Sequence, residues 1–187
     1  MNIGLIGIGT VGGGTYRVLK DNASAISNKM GIDIKITHVA DKDLKLAKDT
    51  VDKDITVEEN AFALIQNSSI DTIVELIGGT GVALEIVRKA LENGKHVVTA
   101  NKALIAMHGE ELVKIANKNN VVLAYEAAVA GGIPIIKAIR EGLAANEVEW
   151  IAGILNGTTN YILTEMKENN LPFDTALQQA QDLGFAE

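Results

Sequence analysis

Short apolar runs recur along the first two thirds of the chain, and each ends on a glycine or a polar residue. Asn2 to Ile6, Asp33 to Ala40, Thr72 to Ile77, His96 to Thr99 and Val121 to Ala124 have the length and the boundaries of strands. In the gaps the apolar residues recur at three- and four-residue steps instead, over Val11 to Lys20, Ala61 to Gln66, Val82 to Asn93 and Ala103 to Asn119. That spacing lines one face of a helix, and Gly94 supplies a stop after Asn93. Strand and helix therefore alternate, which predicts an α/β chain with a parallel sheet, helices on both faces and right-handed crossovers. Ligands in such sheets collect at the carboxyl ends of the strands.

The rhythm breaks after Tyr125. Ala127 to Ile133 is small and glycine-rich, Pro134 suits the first turn of a helix, and Glu147 to Leu155 reads as a longer strand. Thr158 to Lys167 and Phe173 to Leu183 are helical stretches separated by Asn169 to Pro172. A boundary near Glu126 divides the chain into a first domain, residues 1–126, and a second, residues 127–187. The lone strand of the second domain has no ladder partner for its backbone donors and acceptors. Further chain or another subunit would have to complete its sheet.

Composition narrows the partners. Of the 187 residues 47% are apolar and 22% charged, the profile of a globular α/β protein, and the net charge is −7. An acidic chain without clustered Lys and Arg is not expected to bind nucleic acid. The absence of Cys removes disulfides and thiolate metal sites and suits a reducing compartment. No run reaches the ~18 apolar residues of a membrane span, and Met1 to Leu5 lacks a basic leader. The expectation is a cytoplasmic protein with no membrane partner.

Four features carry candidate chemistry. Gly7, Gly9 and Gly12 have the G-x-G-x-x-G spacing between a predicted strand and helix, where glycines serve a tight turn, close approach of pyrophosphate and close helix packing. The pyrophosphate of a dinucleotide would rest on the amides of Thr10, Val11 and Gly12 at the positive end of the helix dipole. Asp41 ends the next strand, where an acid can take the ribose 2′-hydroxyl and favour NAD; Lys42 follows it, and a solvated turn is the alternative for both. Lys102 starts a helix at the end of the fourth predicted strand, where a cation can steady a developing alkoxide. Tyr125-Glu126 and the following small residues offer one carboxylate and many unhindered carbonyls, a set that suits a weakly charged hard cation or a glycine hinge with Glu126 bonded to backbone.

Gly153 to Leu163 (GILNGTTNYIL), Tyr125 to Ile136 (YEAAVAGGIPII) and Thr99 to Ala106 (TANKALIA) resemble homoserine dehydrogenases, and the likeness runs from the loop at Gly7 to the last residue. The resemblance implies a Rossmann-type doubly wound parallel sheet followed by the incomplete start of an α+β substrate domain. It implies interconversion of L-aspartate 4-semialdehyde and L-homoserine with NADP or NAD, a step of threonine and methionine biosynthesis. Ile77 and Gly78 then line the nicotinamide side, a basic residue at Lys42 faces the 2′-phosphate of NADP, and Lys102 contacts cofactor and substrate and assists proton transfer. A sodium ion is implied at Glu126 and the carbonyls of Val129, Gly131 and Ile133. Gly157 and Thr158 lie beside the substrate, Gly184 near the cofactor, and Glu187 on the substrate amino group; Phe185 replaces the family's usual tyrosine. The family's chains continue beyond the position of Glu187 with a second lysine, the rest of the substrate domain and a returning segment. The chain is accordingly expected to bind cofactor without appreciable turnover, and to form a homodimer at full length. Another small amino-acid dehydrogenase and a non-catalytic dinucleotide-binding module are the competing readings.

Overall fold

The computed structural model describes residues 1–154 and 156–185. Six parallel strands form one sheet in the order β3-β2-β1-β4-β5-β6. They are β1 (Asn2–Ile6), β2 (Lys35–Ala40), β3 (Thr56–Glu58), β4 (Thr72–Glu75), β5 (His96–Thr99) and β6 (Leu123–Ala124). The first helices are α1 (Thr10–Asp21), α2 (Ala23–Met30), α3 (Leu44–Thr50), α4 (Ala61–Gln66), α5 (Val82–Glu92) and α6 (Lys102–Lys118). From β1 the chain builds outward through β2 and β3, then crosses back to lay β4 on the other side of β1. The carboxyl ends of β1 and β4 therefore flank a topological switch point, and the diverging connections leave a crevice between them.

Period-two alternation sorts the strand side chains onto two apolar layers. Leu5, Val39 and Val74 face α1 and α3, packing on Tyr16 and Ala47. Ile6, Ala40, Ile73, Val97 and Leu123 face the opposite way onto α4, α5 and α6. The predicted doubly wound arrangement is thus present, with each layer covered by its own helices. Val98, which points to the α1 side of β5, remains exposed.

Several elements differ from the sequence expectation. α2, α3 and β3 were not foreseen. No residue of α2 is buried and only Ala47 of α3 is, so neither has the broad apolar stripe that announces a helix. β3 is three residues with one apolar member, and its pairing with β2 makes it a strand. In the other direction, the strand expected over Glu147 to Leu155 is absent over residues 147–154, while Leu155 lies outside the described residues. Val148, Trp150, Ile151 and Ile154 are exposed there. An extended segment without a neighbouring ladder has no strand to join, whatever its β propensity.

The chain divides into two compact units, Met1–Gly142 and Leu143–Glu187. The first ends beyond β6 with a 3₁₀ turn at Glu126–Ala128, a short α7 (Ile135–Lys137) and a π turn at Ala138–Gly142. The second holds α8 (Gly157–Glu168) and α9 (Phe173–Asp182), which bury Ile162, Ala176 and Ala180 between them. Among the described residues no helix is long and apolar enough to cross a membrane.

Candidate functional site

A cleft of about 580 Å³ opens at the switch point. Gly7 and Gly9 from the β1–α1 turn, Asp41 and Lys42 from the end of β2, and Ile77 and Gly78 from the end of β4 all line it. Six separated positions singled out in the sequence thus meet on one surface. The strand ladder continues past the strand ends to hold them: the Gly7 amide donates to the Ala40 carbonyl at 2.9 Å, and the Leu76 amide to the Ile6 carbonyl at 2.8 Å.

The three glycines of the loop have distinct surroundings. Gly7 sits at φ +92°, and a Cβ there would lie 2.8 Å from a methyl of Ile77 and 2.9 Å from the Leu76 carbonyl. At Gly12 a Cβ would lie 1.9 Å from the Gly7 oxygen, so the helix start is pressed directly against the turn. At Gly9 a Cβ would meet nothing within 4 Å. That open face adjoins the start of α1, which has no side-chain cap. Its first-turn amides, those of Thr10, Val11 and Gly12, are the donors that a helix leaves for an anion. These donors and the space above Gly9 fit a pyrophosphate.

Asp41 is engaged with the protein itself. One carboxylate oxygen accepts from the Ile8 amide at 2.7 Å and the other from the Asp43 amide at 2.9 Å. The Asp43 side chain in turn caps α3 by accepting from the Leu46 amide. Asp41 therefore clamps the glycine loop to the end of β2. Lys42, beside it, is exposed.

Behind Ile77 and Gly78 lies a residue that the sequence reading passed over. Glu75, the last residue of β4, is completely buried. Its Oε1 accepts from the amides of Ile77 at 2.9 Å and Gly78 at 3.2 Å, and its Oε2 from the Thr99 hydroxyl at 2.6 Å. Thr99 Oγ1 accepts from the Asn101 amide at 3.0 Å. Asn101 donates its side-chain amide to the Gly79 carbonyl at 2.6 Å, and its Oδ1 caps α6 through the Leu104 amide at 3.0 Å. Lys102 is the first residue of that helix and is exposed, outside the lining of the cleft. The available signal was one acid inside an otherwise apolar Ile-Val-Glu-Leu-Ile run, a position where charge is rarely buried without partners.

The remaining candidates lie elsewhere. Glu126 accepts from the amides of Ile136 at 2.9 Å and Lys137 at 2.7 Å, so its carboxylate caps α7. The segment between turns through Ala130 at φ +56° and Gly131 at φ +58°, with Val129 and Ile133 on either side. Among the described residues there is no group of three or more His, Cys, Asp or Glu able to hold a metal ion. In the second unit Asn156 caps α8 through the Thr159 amide at 2.8 Å, Gly157 is the helix's first residue, and the Thr158 hydroxyl donates to the Phe185 carbonyl. Gly184, at φ +73°, ends α9 in a left-handed turn, with the Phe185 amide returning to the Ala180 carbonyl at 2.7 Å. Glu187 lies outside the described residues.

A doubly wound parallel sheet with a glycine cradle at its switch point defines a dinucleotide-binding protein. Comparison with known proteins narrows the class. The family model described as "Homoserine dehydrogenase, NAD binding domain" matches residues 7–126, and that described as "Homoserine dehydrogenase" matches residues 134–187. The homoserine dehydrogenase of Neisseria gonorrhoeae is 52% identical over the whole chain, which covers 43% of that protein. A crystal structure of a homoserine dehydrogenase from Thiobacillus denitrificans matches with a TM-score of 0.88 at 49% identity, again over the whole chain and 43% of that structure. A hyperthermophilic archaeal homoserine dehydrogenase in complex with NADPH matches with a TM-score of 0.80 at 26% identity, over the whole chain and 62% of that structure. The chain belongs to the homoserine dehydrogenase family, and it spans less than half the length of the curated relatives it matches.

Proposed function

We propose that this chain supplies the dinucleotide site, and the beginning of the substrate site, of an enzyme that interconverts L-aspartate 4-semialdehyde and L-homoserine in amino-acid biosynthesis in the cytoplasm. The observation that carries the reading is the cradle from Gly7 to Gly12, packed tightly at Gly12 and open at Gly9 over uncapped amides. When bound, NAD(P)H supplies the hydride, and the protein binds, orients and polarises. Thr10, Val11 and Gly12 hold the pyrophosphate, while Ile77 and Gly78 wall the nicotinamide end. Lys102 places a cation where the carbonyl oxygen gains charge and assists the proton transfer. Lys42 meets the 2′-phosphate of NADP, with the Asp41 carboxylate already engaged by two backbone amides.

In the second unit, the turn at Gly157 and Thr158, together with Gly184 and Glu187, belongs to the substrate side in this reading. The exposed apolar residues Val148, Trp150, Ile151 and Ile154 support a homodimer formed by the complete polypeptide through this region. A monovalent cation at Glu126 and the carbonyls of Val129, Gly131 and Ile133 would steady the connection between the domains of residues 1–126 and 127–187. The chemistry of that donor set fits, since a carboxylate bonded to two amides retains lone pairs for a weakly charged ion.

Calorimetric titration of the chain with NADPH and with NADH tests the reading. Saturable binding that is lost in Gly9→Ala, with the circular dichroism unchanged, is the expected result. A folded chain that binds neither coenzyme would overturn it.

A further inference from the structure

A carboxylate buried away from water is tolerated where donors replace its hydration shell. Among the described residues Glu75 has no cation beside it, and its hydrogen bonds come from two backbone amides and one hydroxyl. This donor set suits an acceptor-only carboxylate. An apolar side chain at the same place would extend the layer formed by Ile6, Ile73 and Val97 without any of these bonds. What Glu75 adds is connection: its partners are the two residues that wall the cleft at the end of β4 and the last residue of β5. Thr99 passes the link to Asn101, and Asn101 closes it on the Gly79 carbonyl while capping the helix that begins with Lys102. The result is a ring of hydrogen bonds joining the β4–α5 turn to the β5–α6 turn. The β4–α5 turn needs such an anchor, because Gly78 at φ +74° and Gly79 at φ +71° are consecutive glycines with wide conformational freedom.

We propose that Glu75 is a positioning residue for the nicotinamide end of the site. Through the ring it fixes the Ile77–Gly79 wall relative to the start of α6, so that the wall and Lys102 move as one body. Being fully buried, it acts through its neighbours and does not touch the ligand. The inference rests on the dinucleotide reading given above, which places nicotinamide against Ile77 and Gly78. Glu75→Gln keeps the shape but removes the charge: its NH₂ group must face either the two backbone amides, where a bond is lost, or the Thr99 hydroxyl, which then turns from donor to acceptor, so the ring is left with weaker, neutral bonds. The adenosine and pyrophosphate contacts, held by other turns, remain.

The test compares NADPH with 2′-phospho-ADP-ribose, the same molecule without nicotinamide, by calorimetry and by the fluorescence of bound NADPH. Glu75→Gln is expected to weaken NADPH about tenfold, as loss of a charge-assisted hydrogen bond would, and to leave 2′-phospho-ADP-ribose within about twofold. Thr99→Val should reproduce the difference, and the double variant should be no worse than Glu75→Gln alone, since both cut one ring. Unchanged affinity for both ligands in the variants would overturn the proposal. Equal weakening of both, accompanied by a lower unfolding midpoint, would overturn it too, because a purely structural role predicts no preference for the nicotinamide end. Should Glu75→Gln fail to fold, the same difference in Thr99→Val decides. If the unsubstituted chain does not bind NADPH, the dinucleotide reading falls and this inference with it. Binding without the predicted difference removes this inference alone.

Discussion

Gly7, Gly9 and Gly12 present the same lack of a side chain to three different demands. A Cβ at Gly12 would collide with the Gly7 oxygen, whereas one at Gly9 would enter open space. Gly12→Ala should therefore lower stability by about 1–3 kcal/mol, the usual magnitude of overpacking, and Gly9→Ala should unfold like the unsubstituted chain while failing to bind coenzyme. Denaturant titrations beside calorimetry separate the two effects. Lys42 is the second residue with a defined expectation. Lys42→Ala should weaken NADPH about tenfold, a typical loss for one charge-assisted contact, with NADH nearly unaffected; equal loss for both coenzymes would place the ammonium elsewhere. The glycine spacing and the Asp-Lys pair were legible because their chemistry is local. The use of Asp41 as a clamp on Ile8, and the whole role of Glu75, were not, since their partners come from other strands and loops.

At the scale of elements, legibility followed the breadth of the buried face. α5 buries Ala83, Ile86, Val87, Ala90 and Leu91, so its apolar stripe was unmistakable, and the sequence reading placed it over Val82 to Asn93. The same burial makes the helix costly to damage. Leu91→Ala should lower stability by about 2–5 kcal/mol, as measured by chemical unfolding, because α5 packs on β4, β5 and α6 and the site has little room to collapse. α2 and α3 lie at the other extreme, held at the surface with almost nothing buried. For α3 the support comes from its surroundings: Asp43 caps it, and near its end the Tyr16 hydroxyl accepts from the Asp52 amide at 3.0 Å. The Lys20 ammonium, 2.7 Å from Asp52, holds that carboxyl below the usual carboxylate range by its hydrogen bond, with the Tyr16 hydroxyl assisting. The contribution of this pair is present above the ordinary carboxylate pKa and lost as pH falls through the lowered one. Both side chains are half exposed, so solvent screens most of it.

At the scale of the whole molecule, strand order decides the chemistry. Placing β4 beside β1, on the side away from β2, gathers the ends of three strands around one crevice and leaves the glycine loop at its centre. The second unit shows the converse, a segment with strand-like residues and no ladder to join. Trp150, the single tryptophan of the chain, is 77% exposed there and reports on this region directly. Its emission should be that of a solvated indole and should be quenched readily by acrylamide. In a polypeptide extended to the length of its relatives, emission should shift to the blue and quenching should fall. Protection of Trp150 in the present chain would mean that residues 147–154 already have a packing partner.

Sequence by itself determined the alternation of strand and helix, the glycine cradle and the family, because each is written in neighbouring residues: periodicity, turn chemistry and motif spacing act over a few positions. Tertiary structure alone decided which marginal segments became β3, α2 and α3, that residues 147–154 formed no strand, and that an acid at the end of β4 became the buried hub of a hydrogen-bonded ring. Those outcomes depend on ladders and hydrogen bonds between parts of the chain far apart in sequence, where the partner, more than the residue's own preference, sets the free energy.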